Sequence, residues 1–201
     1  MTTAENSLLS FLIGPVQPFI EAARSLRDLW SGSYLISWLT ASAMREILDD
    51  RACGPRAFVT PHVTADHPIL AAQSGRLRSD PRSTLPSLPN RFAAIVPRER
   101  AEDIARRCEE DCKKAWLLIC DRVKRELESV VNHSDGYPDW SRNWDAQVDD
   151  FFEIRCVHQP IDGDVSDSRA WAQVWRRIGE RMEASRSVRH VPKYLPAPAP
   201  D

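Results

Sequence analysis

Glycine is scarce, with 7 in 201 residues, and none falls in a Gly-x-Gly-x-x-Gly or a Gly-x-x-x-x-Gly-Lys pattern. A phosphate-cradling loop needs backbone N–H groups that approach the ligand with no Cβ in the way, so neither kind of loop is encoded. There is no Gly-x-Ser-x-Gly, which removes the nucleophile elbow of the hydrolases. The five histidines (His62, His67, His133, His158, His190) are scattered, and no His-Asp dipeptide, the core of the metal-dependent HD nuclease signature, occurs. Asp66-His67 has the reverse order in a Pro-rich setting that reads as a turn. The five cysteines (Cys53, Cys108, Cys112, Cys120, Cys156) are odd in number and form no Cys-x-x-Cys pair. With no charged n-region leading into an apolar h-region, buried free thiols are expected rather than disulfides or zinc. No apolar run approaches the roughly 18 residues of a membrane span, and a cytoplasmic location is expected.

Charge of either sign is also not in large excess. The net charge of −2 gives no basic field for nucleic acid, so any such contact must be local. The distribution is uneven: Asp145, Asp149, Asp150, Glu153, Asp162, Asp164 and Asp167 stand against Arg155, whereas Arg176, Arg177, Arg181, Arg186, Arg189 and Lys193 stand against Glu180 and Glu183. Two solvated faces of opposite sign account for this; an acidic metal site at Asp149 and Asp150 is the sharper alternative.

Residues 8–13 (LLSFLI) are an almost unbroken apolar run stopped by Gly14-Pro15, which predicts a central strand covered on both faces. A helical stretch follows with Phe19, Ala23, Leu26 and Trp30 on one face, then a break at Ser31-Gly32-Ser33, then a second helix carrying Leu35, Ile36, Leu39, Ala43, Ile47 and Leu48. Residues 58–63 and 92–96 read as two strands, joined through a loop over 64–90 whose Pro-rich part, 79–90, should be mobile; its Arg76, Arg78 and Arg82 belong to a solvated loop or touch a polyanion. A helix over 98–130 has Ile104, Cys108, Cys112, Ala115, Ile119, Val123, Leu127 and Val130 on one stripe. Cys108 and Cys112 are one turn apart on it, with no further ligand nearby to make a metal site. Residues 149–158 alternate as a half-buried strand, with Phe152, Ile154, Cys156 and His158 on one side. A last helix covers 168–188, and 192–201, with four prolines in ten residues, reads as a linker. The expectation is an α+β protein with a βαββαβ ferredoxin-like, palm-like domain over 1–191 and additional helices.

Three stretches carry a family resemblance. Residues 11–36 (FLIGPVQPFIEAARSLRDLWSGSYLI) resemble the N-terminal signature of the large subunit of type III-B CRISPR effector complexes, 90–97 (NRFAAIVP) a later strand of that family, and 144–161 (WDAQVDDFFEIRCVHQPI) its Phe-Phe-Glu strand. The resemblance implies the first of two palm domains, the second of which carries a Gly-Gly-Asp-Asp site and makes cyclic oligoadenylate from ATP with Mg2+. Palm enzymes place an Asp-x-Asp-x-Phe pattern at the end of the first core strand. Aligned on Phe19, this chain has Pro15 and Gln17 there, and neither is a hard anionic ligand for magnesium. Asp49-Asp50 and Asp149-Asp150 lack the glycines of the second carboxylate pair.

The implied role is therefore a non-catalytic part of an antiviral effector, needing no cofactor itself, that helps form a nucleotide pocket and docks on the subunit holding the crRNA 5′ tag. Crucial partners on this reading are the other effector subunits, crRNA and target RNA. Candidate contacts are Gly14 and Gln17, read as nucleotide-binding or as a plain turn, and Arg24 and Arg27, read as a phosphate- or RNA-facing pair on one helix face or as a salt-bridged subunit contact. Trp30 and Tyr34 are read as core. A free-standing ferredoxin-like regulatory module is the alternative.

Overall fold

The structure, a computed structural model, describes residues 5–64, 66–75, 81–131, 139–163 and 166–187. The predicted tail 192–201, together with Arg76 and Arg78, lies outside them.

The chain folds as β1 (Asn6–Gly14), α1 (Val16–Glu21), α2 (Leu26–Leu48), β2 (Phe58–Thr60), α3 (Pro68–Gln73), β3 (Arg91–Pro97), α4 (Ala101–Val131), α5 (Trp140–Asp149), β4 (Glu153–Pro160) and α6 (Ser168–Ser187). The four strands form one sheet in the order β2-β3-β1-β4, with antiparallel neighbours throughout. β1 is central because it is apolar on both faces. Leu9, Phe11 and Ile13 enter the larger core under α2 and α4, and Leu8 enters a smaller one under α6 with Ala93, Ile161, Val174 and Ile178. Phe11 stacks on Phe92 directly across the β1–β3 pair, with centroids 4.8 Å apart.

β4 is an edge strand whose outward groups are occupied by side chains. Glu109 Oε1 accepts the Cys156 N–H at 2.5 Å, Arg181 donates to the His158 carbonyl at 3.0 Å, and Pro160 has no N–H to offer. These devices deny the edge to another strand.

α2 and α4 are antiparallel: Cys108 Sγ donates to the Ala43 carbonyl (3.3 Å), Arg107 pairs with Glu46 (3.2 Å) and Arg100 with Asp50 (2.6 Å). α4 starts beside the beginning of β1, because Pro97 lies opposite Asn6. At 31 residues α4 is about 46 Å long, against about 30 Å for the nine residues of β1. Its last turns therefore project beyond the sheet at the Gly14 end, together with the first turns of α2.

Several expectations are corrected. No break occurs at Ser31-Gly32-Ser33; it lies at residues 22–25. The Ser25 hydroxyl accepts the Asp28 N–H (3.1 Å) and the Asp28 carboxylate accepts the Arg24 N–H (3.2 Å), so a Ser-x-x-Asp cap starts the helix there. Gly32 sits mid-helix because α1 crosses it: a Cβ would lie 3.3 Å from Phe19 Cε1 and 3.4 Å from Ile20 Cδ1.

The expected loop over 64–90 contains α3, started by Pro68 at its first position and closed by Gly75 at φ +73°. Ile69, Leu70 and Ala71 are buried, and Gln73 Nε2 donates to the Trp38 carbonyl (2.7 Å). Nor is 79–90 detached, since Ser37 donates to the Leu88 carbonyl (2.8 Å) and accepts its N–H (3.3 Å). The second strand ends at Thr60, before Pro61, which has no N–H for a ladder.

Asp149 ends the unanticipated α5 instead of opening a strand. The α4 stripe is buried only through Cys120, so Val123, Leu127 and Val130 are exposed on the projecting turns. Cys108 and Cys112 are fully buried core residues, as the helical spacing implied.

Candidate functional site

The C-terminal end of β1 is held by Asn90, whose carbonyl accepts the Ile13 N–H and whose Nδ2 donates to the Ile13 carbonyl, both at 2.9 Å. Sequence reasoning placed Asn90 only at the start of a strand motif; its role rests on a contact 77 positions away, which no local pattern encodes. Gly14 lies opposite Glu153 on β4, and the Gly14–Pro15 peptide is cis. α1 begins at the next residue, with Pro15 in the capping position.

α1 and the start of α2 form a surface cleft of about 530 Å³. Its lining is mainly apolar, from Phe19, Ala23, Leu35 and Phe151, and its polar members include Arg24 and Asp28. Phe19 meets Phe151 and Phe152 edge-on at 5.7 and 5.3 Å, and Trp116 packs on both of those rings, so an aromatic cluster fixes the floor. Trp116 Nε1 donates to the Val148 carbonyl (2.9 Å), which ties the cluster to the end of α5.

The four candidate residues do not form one constellation. Gly14 is the strand end. Gln17 is exposed on α1, where its Nε2 donates to Glu21 Oε1 at 2.9 Å, and it does not line the cleft. Arg24 lies in the connection ahead of the Ser25 cap and lines the cleft, whereas Arg27 is in the first turn of α2 and does not. The shared helix face expected for Arg24 and Arg27 is therefore absent, because the cap separates them. Trp30 is 44% exposed and stacks on Tyr34 at 5.6 Å, so it is not core.

The acidic residues are dispersed. Asp145 pairs with Lys124 (2.7 Å), Asp149 with Lys113 (3.2 Å) and Asp162 with Arg98 (2.6 Å). Asp50 is structural: its carboxylate accepts the Ala52 N–H and pairs with Arg100 between α2 and α4. Burial alone would raise it, but the Ala52 N–H and the Arg100 guanidinium outweigh burial and hold it below the usual carboxylate range. Among the described residues no three His, Cys, Asp or Glu side chains converge as a metal site. His67 occupies a turn before α3, as Asp66-His67 suggested, with burial lowering its pKa. Burial holds four of the five thiols in the protonated form. It pushes the Cys53 and Cys120 thiols up to about 11, and raises Cys112 and Cys156 as well.

Residues 8–121 match the family model described as CRISPR-associated protein Cmr2, N-terminal. The curated CRISPR system Cmr subunit Cmr2 of Pyrococcus furiosus is 34% identical over 114 residues, which is 57% of this chain but 12% of that protein. Two solved structures, described as type III-B Cmr-beta in the apo state and bound to cognate target RNA, superpose with TM-scores of 0.58 and 0.57 at 17% and 16% identity. Each covers 96% of this chain, which in turn spans only 24% of theirs. The fold is thus shared with those chains over nearly the whole length, and the chain belongs to the Cmr2 N-terminal family, the N-terminal part of the type III-B large subunit.

Proposed function

We propose that this chain is a ferredoxin-like, palm-like domain of the type III-B effector large subunit that performs no catalysis itself. The fold-level support is the order β2-β3-β1-β4 with every neighbour antiparallel and with α2 and α4 on one face. The single observation that carries the reading is the end of the central strand. Where a palm enzyme needs paired carboxylates, Gly14 is followed by Pro15 and by an exposed Gln17 bonded to Glu21, and the adjoining cleft is largely apolar.

On this reading the cleft beside Gly14 contributes a wall to a nucleotide pocket whose metal-binding carboxylates come from a second palm. The complete large subunit then makes cyclic oligoadenylate from ATP and Mg2+. Docking on the crRNA-binding subunit connects this domain to crRNA and target RNA in antiviral defence. A cytoplasmic setting fits that role, and no helix among the described residues is long and apolar enough to cross a membrane.

The test is ATP turnover, followed by chromatography of oligoadenylate products. The purified chain with Mg2+ or Mn2+ is expected to give none, while it is recovered in a pull-down with the crRNA-binding subunit. Metal-dependent turnover by the chain alone, or failure of the pull-down, would refute the reading.

A further inference from the structure

α6 carries a glycine that its packing does not require. Gly32 on α2 is dictated by the crossing of α1, but a Cβ at Gly179 would meet nothing within 4 Å. Glycine weakens a helix interior relative to alanine, so the missing side chain at Gly179 is a cost that no close contact explains. What the bare position borders is a cleft.

The cleft lies on the sheet face opposite α2 and α4. Side chains alternate along β1, so Leu8, Ser10 and Leu12 point away from the larger core that takes Leu9, Phe11 and Ile13. Leu8 is sealed by Val174 and Ile178 of α6. Farther along, about 270 Å³ stays open between α6 and the strands. Trp175, Ile178 and Met182 line it from the helix, Ser10 and Leu12 from β1, and the exposed Arg91, opposite Leu12, from β3.

Its polar groups are left without partners. Among the described residues, neither the Ser10 hydroxyl nor the Arg91 guanidinium has a hydrogen-bond or ion-pair partner. The other charged lining residues, Arg186 and Glu183, pair with each other at 3.4 Å, so one positive charge is in excess. A mainly apolar cleft with a few convergent donors is the form of a small-ligand site. One excess positive charge matches a monoanion. A carboxylate brings that single charge in a plane which a guanidinium meets with two parallel bonds. A terminal phosphate brings about −1.5 to −2 at pH 7 and is the poorer match. The volume, just under the roughly 300–1,000 Å³ of drug-sized sites, leaves space for one ring or branched chain beside the carboxylate.

We propose that this cleft binds a small apolar carboxylate, whose charge Arg91 engages while its ring or branched chain lies against Trp175 and over Gly179. A free acid and the C-terminal residue of a peptide offer the same chemistry. The site is separate from the cleft of α1 and α2 and does not rest on the domain reading above.

Calorimetry of this chain with N-acetyl-L-phenylalanine tests the site. The acid is expected to bind, and its amide to bind at least tenfold more weakly because the charge is gone. Arg91→Gln is expected to weaken the acid tenfold or more and to leave the amide unchanged. Gly179→Leu is expected to fill the cleft and abolish binding while its Tm equals or exceeds the parent's, since leucine favours the helix and its Cβ meets no neighbour. Arg169→Gln, in the first turn of α6 and away from the cleft, is the unaffected control. Absence of binding by the acid, an amide that binds equally well, or parental affinity in both cleft variants overturns the proposal. Adenosine monophosphate binding more tightly than the acid overturns the carboxylate assignment. Acetyl-Ala-Ala-Phe separates the two sources: tighter binding than N-acetylphenylalanine supports a chain terminus, and weaker binding supports a free acid.

Discussion

Removing Asp50 tests how α2 and α4 are locked together. The Asp50 side chain is 3% exposed, and it accepts the Ala52 N–H at 2.9 Å and two bonds from Arg100 at 2.9 and 2.6 Å, with Arg107 at 3.6 Å. Breaking a fully buried pair by removing one partner costs roughly 3–5 kcal/mol, because the other charge is stranded. Here Arg100 is 39% exposed and can rehydrate, and Arg107 keeps Glu46 and Asp103 as partners, so Asp50→Ala is expected to cost less, about 2–3 kcal/mol. For a domain of this size that is a fall in Tm of about 4–12 °C. Asp50→Asn retains an acceptor for Ala52 and is expected to lose about half as much.

The pH dependence has a definite sign. The folded-state pKa is depressed, so the stabilisation is complete above the ordinary Asp pKa of about 3.9 and is lost as the pH falls through the folded value. The gap between parent and Asp50→Ala is therefore constant from pH 7 to about pH 5 and narrows below about pH 4. Scanning calorimetry at stepped pH measures it. A Tm change under about 1 °C at pH 7, or a gap that widens on acidification, would refute the reasoning.

Two further outcomes follow from the same geometry. Gly32→Leu is expected to cost about 1–3 kcal/mol by overpacking, displacing α1 from Phe19 and Ile20 while β1 and β3 keep their register; amide exchange that accelerates in Val16–Glu21 alone supports this, and unchanged protection there contradicts it. Iodoacetamide at pH 8 is expected to leave Cys108 and Cys112 unmodified in the native chain, since both are fully buried, and to label all five thiols in guanidinium; mass spectrometry showing either of those two alkylated before unfolding would contradict the packing.

Alternation and helical spacing located β1, β3, β4, α4 and α6, because each of these carries a continuous apolar pattern that a short window contains. The same logic failed where a local cue competed with a distant one. Ser-Gly-Ser looked like a break, but the Ser25–Asp28 cap starts a helix and Phe19 requires the small residue at position 32. Likewise, the Pro-rich segment looked free until Ser37, 51 positions away, bonded Leu88.

By itself the sequence determined the family signature from Phe11 to Ile36, the lack of carboxylates at Pro15 and Gln17, and the burial of Cys108 and Cys112. Only the tertiary structure decided that Arg24 and Arg27 part company at a helix cap and that Asn90 clamps the end of β1. It alone also revealed that the apolar stripe of α4 outruns the sheet. Spacing along one helix records which side chains share a face, but how far that face is covered depends on the length of the neighbouring strands, and no local pattern contains that length.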